Sequence, residues 1–133
     1  MSLSIGEVAV QAGVRASAIR YYEALGILPA PERRSGRRRY TRRAVDQLRV
    51  VRFAQDAGLT LEEIRVLFHG FGNDVPPAAR WQAVAHRKLE ELDRQVEQIG
   101  RMRRSLEATL SCGCVRIEDC AGDGLNETGC AVR

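Results

Sequence analysis

The segment 78–111 restricts the possible folds of this chain more than any other feature. It contains no proline and a single glycine, Gly100, and its apolar residues recur in steps of three and four, which is typical of a coiled-coil seam. These residues are Trp81, Ala85, Leu89, Leu92, Val96, Ile99, Met102, Leu106 and Leu110. A helix of this length extends about 50 Å at about 1.5 Å per residue, further than so small a domain covers. We therefore expect it to dimerise with the same helix of a second copy; the alternative, folding back onto the chain, would need a break at Gly100.

Length and composition indicate a globular protein of about one domain. The chain has 133 residues, of which 44% are hydrophobic and 29% are charged. Its N-terminus has neither the basic nor the apolar region of a signal peptide, and no apolar run approaches the ~18–20 residues of a membrane span. We expect a soluble, cytoplasmic protein that does not associate with membranes. In that reducing compartment, clustered cysteines indicate metal or redox chemistry rather than permanent disulfides.

Positive charge is concentrated in the first part of the chain. Residues 1–58 carry eleven arginines against five acidic residues, whereas residues 59–133 carry ten lysines and arginines against twelve acidic residues. Such a basic region is typical of a module that binds a polyanion, because each phosphate contact releases counterions. The asymmetry favours nucleic acid as a partner over an evenly solvated surface.

Two short helices and a hairpin are predicted within this basic region. Helical apolar spacing runs from Ser4, the expected N-cap, to Gly13, and a second helix follows over 15–26. This pair predicts a helix-turn-helix, whose second helix fits the major groove of DNA. Next, a Ser-Gly turn between arginine-rich arms over 32–40 predicts a β-hairpin wing, the alternative being a disordered basic loop.

Two further helices complete the first domain. One is predicted from the N-cap Thr41 to Gly58, and the other begins with a capping-box pattern at Thr60. The predicted fold class is mainly α: a winged helix-turn-helix domain with a small β-hairpin wing, then a long dimerisation helix and a Cys-rich C-terminal loop. The expected boundaries are 1–70 for the DNA-binding domain, 71–77 for a linker, 78–111 for the coiled-coil helix and 112–133 for an effector-binding tail.

All four cysteines follow the long helix, at Cys112, Cys114, Cys120 and Cys130. Three or four thiolates suit a soft or borderline ion such as Zn(II), Cd(II), Hg(II) or Cu(I). Whether the site has three thiolates or four depends on Cys130. The two histidines, His69 and His86, lie far from the cysteines in sequence, and we expect both at the surface.

The order of these motifs resembles the MerR family of bacterial transcription regulators. The resemblance rests on Arg20-Tyr21-Tyr22-Glu23, on Gly36-x-Arg38-x-Tyr40, on the Ala-Gly-Leu-Thr-Leu-Glu-Glu-Ile segment and on the long helix, and it covers 4–111. Arg37 departs from it, because many members have tyrosine there. It implies a homodimer whose antiparallel long helices hold two winged domains on a palindromic promoter operator. Members bend and untwist the promoter when they sense their effector, so that RNA polymerase engages both promoter elements.

The resemblance also implies which residues contact double-stranded DNA. On the recognition helix and wing these are Arg15, Ser17, Arg20, Tyr21, Arg38 and Tyr40. Guanidinium groups suit both base edges and phosphates. Ile19 and Tyr22 fall on the apolar face of the helix and are expected in the core.

The cysteine tail resembles two branches of the family, and both remain open. Cys112-x-Cys114-x5-Cys120 resembles the tail of the SoxR-like subgroup, which holds a [2Fe-2S] cluster on four thiolates, but Thr109 stands where the first of those cysteines would be. Copper- and zinc-sensing members use a pair that matches Cys112 and Cys120. Mercury-sensing members add a cysteine at the start of the partner's long helix, where this chain has Ala78.

A third interpretation is a cysteine-dependent redox or metal-handling enzyme. The sequence has no Cys-x-x-Cys motif and no glycine-rich phosphate loop after a strand, and no histidine lies near a cysteine. This lack of site chemistry disfavours an enzyme.

Overall fold

The computed structural model describes residues 2–121 in full and the backbone of residues 125–126 and 129–130. Its helices are α1 (Ile5–Ala12), α2 (Ala16–Ala24), α3 (Arg42–Asp56), α4 (Leu61–His69) and α5 (Pro77–Thr109), followed by a 3₁₀ turn (Ile117–Ala121). Strands β1 (Glu32–Arg34) and β2 (Arg37–Arg39) form one antiparallel pair, and β3 (Leu125–Asn126) and β4 (Gly129–Cys130) form another. The predicted mainly α fold with a two-stranded wing is confirmed. The side chain of Cys130 lies outside the described residues.

Helices α1 and α2 form the predicted helix-turn-helix, and local signals set their ends. The Ser4 hydroxyl accepts from the amide of Glu7 while the Glu7 carboxylate accepts from the amide of Ser4, so the N-terminus of α1 has a reciprocal capping box. The helix ends at Gly13, which adopts a left-handed φ of 71° that glycine reaches without strain. This turn receives a hydrogen bond from α3, because the Arg52 guanidinium donates to the Gly13 carbonyl at 3.2 Å.

The wing is a tight hairpin joined to the N-terminal segment. Strand β1 pairs with β2 in the register Glu32↔Arg39 and Arg34↔Arg37. Ser35 and Gly36 both have positive φ, at 52° and 77°, as a two-residue type I′ turn requires. At the base of the wing, Tyr40 exchanges two backbone hydrogen bonds with Leu3, of 2.7 and 2.8 Å.

One mainly aliphatic core is shared by the four helices α1, α2, α3 and α4 and by the start of α5. Its largest fully buried side chains are Ile19, Ile27, Leu48, Ile64, Val8, Val45 and Val51. Val84 of α5 is also buried, and the Trp81 ring meets that of Phe53 edge-on with 5.9 Å between centroids. The chain divides into the compact units Met1–Val84 and Ala85–Arg133, whose boundary falls within α5.

Helix α5 is continuous through Gly100, which does not break it. It ends at Thr109, two residues before the predicted position, where the Thr109 hydroxyl donates to the Leu106 carbonyl at 2.6 Å and the chain enters a turn. The seam residues beyond Val84 form an exposed apolar stripe, made of Leu89, Leu92, Val96, Ile99, Met102 and Leu106 of α5 and of Leu110 just after it. In the described part of the chain, no helix combines the length and the apolar character needed to cross a membrane.

Candidate nucleic-acid interface and metal centre

Helix α2 separates its core residues from the residues predicted to contact DNA. Ile19 and Tyr22 are buried, as predicted, and the Tyr22 hydroxyl donates to the Gln55 side chain of α3 at 3.1 Å. The opposite face is exposed and carries Arg15, Ser17, Arg20 and Tyr21. The arrangement is an arginine-bearing helix face on a rigid support, suited to a groove of DNA.

The N-termini of α2 and α3 are favourable to anions. Arg15 is the N-cap of α2 and Thr41 that of α3, and neither side chain makes a capping hydrogen bond. The first turns contain no acidic residue, and α3 begins with Arg42 and Arg43. Because the helix dipole favours negative charge at a helix N-terminus, these two ends are suited to a phosphate.

The two wing residues predicted to contact DNA are held by the recognition helix. The Glu23 carboxylate of α2 accepts the Tyr40 hydroxyl at 2.7 Å through one oxygen and forms an ion pair with Arg38 through the other. Tyr40 is buried, and only 9% of the Glu23 side chain is exposed. Burial raises the pKa of Tyr40, and the hydrogen bond with Tyr40 raises the pKa of Arg38. The phenol therefore stays protonated and the guanidinium charged, so both donors remain available to Glu23.

Other arginines form the exposed surface of the wing. Arg33, Arg34 and Arg37 are exposed and flank the Ser35-Gly36 turn. The predicted DNA contacts did not include these three arginines, because that set followed the spacing of the family motif. Their position beside the predicted turn was the available signal, since residues at the tip of a hairpin have few neighbours that could bury them.

Three of the four predicted cysteine ligands converge after α5. The thiol sulfurs of Cys112, Cys114 and Cys120 lie within 4.8 Å of one another, and the Sγ atoms of Cys112 and Cys120 are 3.9 Å apart. The amide of Cys114 donates to the Cys112 sulfur at 3.4 Å. All three cysteines are half-buried.

An internal ion pair shapes the loop that brings Cys120 back to the other two cysteines. The Asp119 carboxylate accepts from the backbone amide of Arg116 and from its guanidinium, both at 3.3 Å. The Asp119 amide in turn donates to the Arg116 carbonyl at 3.1 Å, which starts the 3₁₀ turn that carries Cys120. The eight-residue spacing between Cys112 and Cys120 thus becomes a short sulfur-to-sulfur distance.

The cluster has the dimensions of a site for one thiophilic ion. Metal–sulfur bonds of about 2.3 Å let one ion bind two sulfurs that are up to about 4.6 Å apart, and the 3.9 Å between the sulfurs of Cys112 and Cys120 meets this condition. The histidines do not join this group: His69 is exposed with Nε2 2.7 Å from the Ile27 carbonyl oxygen, and His86 is exposed on α5.

Fold and surface together define a winged helix-turn-helix, DNA-binding regulator of transcription. The model of MerR HTH family regulatory proteins matches residues 3–70, and the model named "MerR, DNA binding" matches residues 45–109. The chain belongs to the MerR family. Since members of this family regulate transcription, the enzyme interpretation is excluded.

The curated relatives include both branches that the cysteine tail resembles. A SoxR homolog from Chromobacterium violaceum is 30% identical over 99% of this chain and 93% of its own length. A mercuric resistance operon regulatory protein from Bacillus cereus is 36% identical over 80% of this chain and 81% of its own length. A regulator named CueR from Yersinia pestis is 31% identical, with 91% and 83% covered.

Among solved structures, the transcription regulator PbrR691 from Ralstonia metallidurans, crystallised with lead(II), has the same fold. The TM-score is 0.73 at 23% sequence identity, with 89% of this chain and 94% of that chain covered. HiNmlR, a MerR family regulator bound to promoter DNA, gives a TM-score of 0.57 at 22% identity over 84% of this chain and 85% of its own.

Proposed function

We propose that this protein is a homodimeric regulator that binds a palindromic promoter operator and activates transcription when a thiophilic metal ion binds its cysteine cluster. The observation that carries the proposal is the convergence of three thiol sulfurs within 4.8 Å directly after the long helix. On binding the ion, the dimer distorts the operator so that RNA polymerase engages both promoter elements.

On the DNA side, the exposed face of α2 reads the major groove. Arg20 and Tyr21 contact base edges and phosphates from the middle of the helix, while Arg15 and Ser17 contact phosphates at its N-terminus, where the helix dipole assists them. Arg38 and Tyr40 act on DNA through the wing: held by Glu23, they fix the hairpin whose exposed arginines meet the flanking backbone.

Dimerisation is supported by the exposed apolar stripe of α5. Leu89, Val96, Ile99, Met102 and Leu106 are each more than half exposed, at 54–69% of their surface. Leaving so many aligned apolar side chains in water is unfavourable, because fully burying a side chain of this kind contributes about 1.5–3 kcal/mol and these are only partly buried. The same helix of a second copy covers the stripe with a matching seam.

The ion itself is a borderline or soft cation. Three half-buried thiolates and no histidine make the described cluster unsuitable for hard ions, which leaves Zn(II), Cd(II), Hg(II) and Cu(I) as the candidates. Relatives named for mercuric resistance and heavy-metal dependence support this class of effector. Cys130 is the candidate for a fourth ligand.

A second candidate effector is a [2Fe-2S] cluster, as in a SoxR-like redox sensor. It is favoured by the match to the SoxR homolog over 99% of this chain. Two observations weigh against it. Thr109 takes the place of one ligand, and three sulfurs within 4.8 Å suit one ion better than thiolates divided between two irons.

The test begins with an operator duplex selected by the purified full-length protein from random-sequence DNA. Protein isolated without oxygen is analysed for iron, sulfide and zinc. The output of a promoter that carries this operator is then measured with Zn(II), Cd(II), Hg(II) and Cu(I) in turn, and with an oxidant. Colourless protein that binds Cd(II) with thiolate-to-metal absorption and activates the promoter supports the proposal. Reddish-brown protein with stoichiometric iron and sulfide would replace it with the cluster interpretation, and a promoter that responds to neither ions nor oxidants would refute both.

A further inference from the structure

The guanidinium of Arg80, in the first turns of α5, donates to four backbone carbonyls of the segment that precedes the helix. The Nη1 atom lies 2.9 Å from the Phe68 carbonyl oxygen and 3.5 Å from that of Leu67. The Nε and Nη2 atoms lie 2.9 and 3.2 Å from the carbonyl oxygens of Val75 and Gly72. One side chain therefore bonds both ends of the connection between α4 and α5.

The carbonyls of Leu67 and Phe68 belong to the last turn of α4, where helical partners run out. Helix α4 closes with a hydrogen bond of 2.7 Å from the Gly70 amide to the Val66 carbonyl. The next carbonyls have no residue further along the helix to accept from. A cation at a helix C-terminus also interacts favourably with the helix dipole. Arg80 satisfies both requirements from a different helix.

The connection itself is short, and its own hydrogen bonds restrict it. Val75 donates to the Gly72 carbonyl at 3.0 Å, and the amides of Ala79 and Arg80 both bond the Pro76 carbonyl as α5 begins. The Arg80 guanidinium carbon lies 5.9 Å from the centre of the Phe71 ring, within cation–π range. A planar fork of five N–H donors can hold several carbonyls in one arrangement, which the compact ammonium of lysine cannot.

We propose that Arg80 is a positioning residue that fixes the direction in which the dimerisation helix leaves α4, and thereby the spacing of the two DNA-reading surfaces in the dimer. The proposal rests on the proposed function, in which a dimer reads two half-sites. Arg80 belongs neither to the residues proposed to contact DNA nor to the cysteine cluster. Its four hydrogen bonds restrict the connection between α4 and α5.

The experiment compares full-length Arg80→Ala and Arg80→Lys with Arg87→Ala, which removes an exposed arginine from the same helix. Three DNA probes are used: the selected operator, the same operator with one base pair inserted between its half-sites, and a single half-site. We expect both Arg80 variants to lower the preference for native spacing at least about fivefold, the lower end of usual coupling strengths, while half-site affinity and Cd(II) affinity change less than about twofold. Arg87→Ala should keep the preference.

A measurement that needs neither DNA nor metal separates this proposal from the proposed function. In Arg80→Ala, amide hydrogen exchange of Gly70 and Val75 should accelerate at least about tenfold, because both amides lie within the connection that Arg80 holds. Unchanged exchange, or an unchanged spacing preference in Arg80→Ala, overturns the role of Arg80. If Arg80→Lys keeps the wild-type spacing preference and amide exchange, a positive charge at this position is sufficient, and the argument from the shape of the guanidinium is overturned. Absence of any spacing preference in the wild type contradicts the dimeric operator model, and exchange then still decides whether Arg80 holds the connection.

Discussion

The first compact unit and the cysteine loop are stabilised by different means. Met1–Val84 contains fifteen buried hydrophobic residues that draw on every helix from α1 to α5. In the loop 112–121, all of which the structure describes, no residue is buried, and Val115 and Ile117 are 92% and 84% exposed. The DNA-reading unit thus owes its shape to its own core. The loop has no such core, and the contacts that shape it are the ion pair between Arg116 and Asp119 and the contacts among its cysteines.

Within the first unit, the helix N-termini fall into two groups, those with a side-chain cap and those that face the proposed DNA surface. Helices α1 and α4 begin with capping boxes, built on Ser4 and Thr60, that place a glutamate in the first turn. Helices α2 and α3 begin without a side-chain cap and with arginines nearby. Ends that only need to be stable receive a local carboxylate, whereas ends that face the proposed DNA surface are left to an external anion.

The largest expected effect comes from a substitution in the cysteine loop that should leave the first compact unit unaffected. Cys112→Ser removes one of three converging thiolates, so Cd(II)-induced absorption and promoter activation should be lost, while operator affinity and the melting temperature of the metal-free protein stay unchanged. Cd(II) titration, calorimetry and operator binding measure the three quantities. Ser111→Ala, at the neighbouring exposed position, is the control. Loss of DNA binding in Cys112→Ser would show that the cluster is structural and end the comparison.

A truncation in each region tests where the core lies. Leu48 of α3 is fully buried, so Leu48→Ala should lower the free energy of unfolding by about 2–5 kcal/mol through lost burial and a cavity. Val115→Ala, in the exposed loop, should change it by less than about 0.5 kcal/mol. Urea unfolding of the metal-free protein measures both. Equal losses would contradict the division into a self-stabilised unit and a loop without a core.

At the contact between α2 and the wing, we expect one substitution to change operator affinity in the direction opposite to the one that charge alone predicts. Glu23→Gln removes a negative charge beside the proposed DNA surface, yet it breaks the ion pair with Arg38 that holds the wing. We expect operator affinity to fall about tenfold, near the value of one charged hydrogen bond. Glu32→Gln, an exposed carboxylate on β1, should leave affinity unchanged or raise it. Tighter binding by Glu23→Gln would refute the positioning role of this carboxylate.

The smallest expected effects come from the same substitution, serine to alanine, near the N-termini of α1 and α2. Ser4→Ala removes the capping hydroxyl of α1 and should cost about 1 kcal/mol of stability with operator affinity unchanged. Ser17→Ala, on the exposed face of α2, should leave stability unchanged and weaken operator binding. Thermal melts and binding isotherms of the two variants test the pair. If both lose only stability, the N-terminus of α2 has no role in DNA binding.

Much of the first unit was predictable from sequence because its signals are local. The N-caps Ser4 and Thr60, the stop at Gly13 and the Ser35-Gly36 turn each act over a few residues, and the structure has all of them. The predicted burial of Ile19 and Tyr22 follows from helical periodicity in the same way. The contacts of the predicted wing residues were not predictable in this way. No local signal reveals that Arg38 and Tyr40 bond Glu23, which lies fifteen and seventeen positions earlier in the sequence.

By itself, the sequence determined the order and type of the elements from α1 to α5, the apolar seam of α5 and the presence of thiolates beyond its end, but neither the 3₁₀ turn nor the pair β3–β4. Periodicity, caps and turns depend on neighbours along the chain, so they can be read without coordinates. The tertiary structure decided which side chains meet: Glu23 with the wing, Arg80 with four carbonyls, and three sulfurs within 4.8 Å. Such contacts join residues that are distant in sequence or lie on either side of a turn, and their geometry is set by packing rather than by any local pattern.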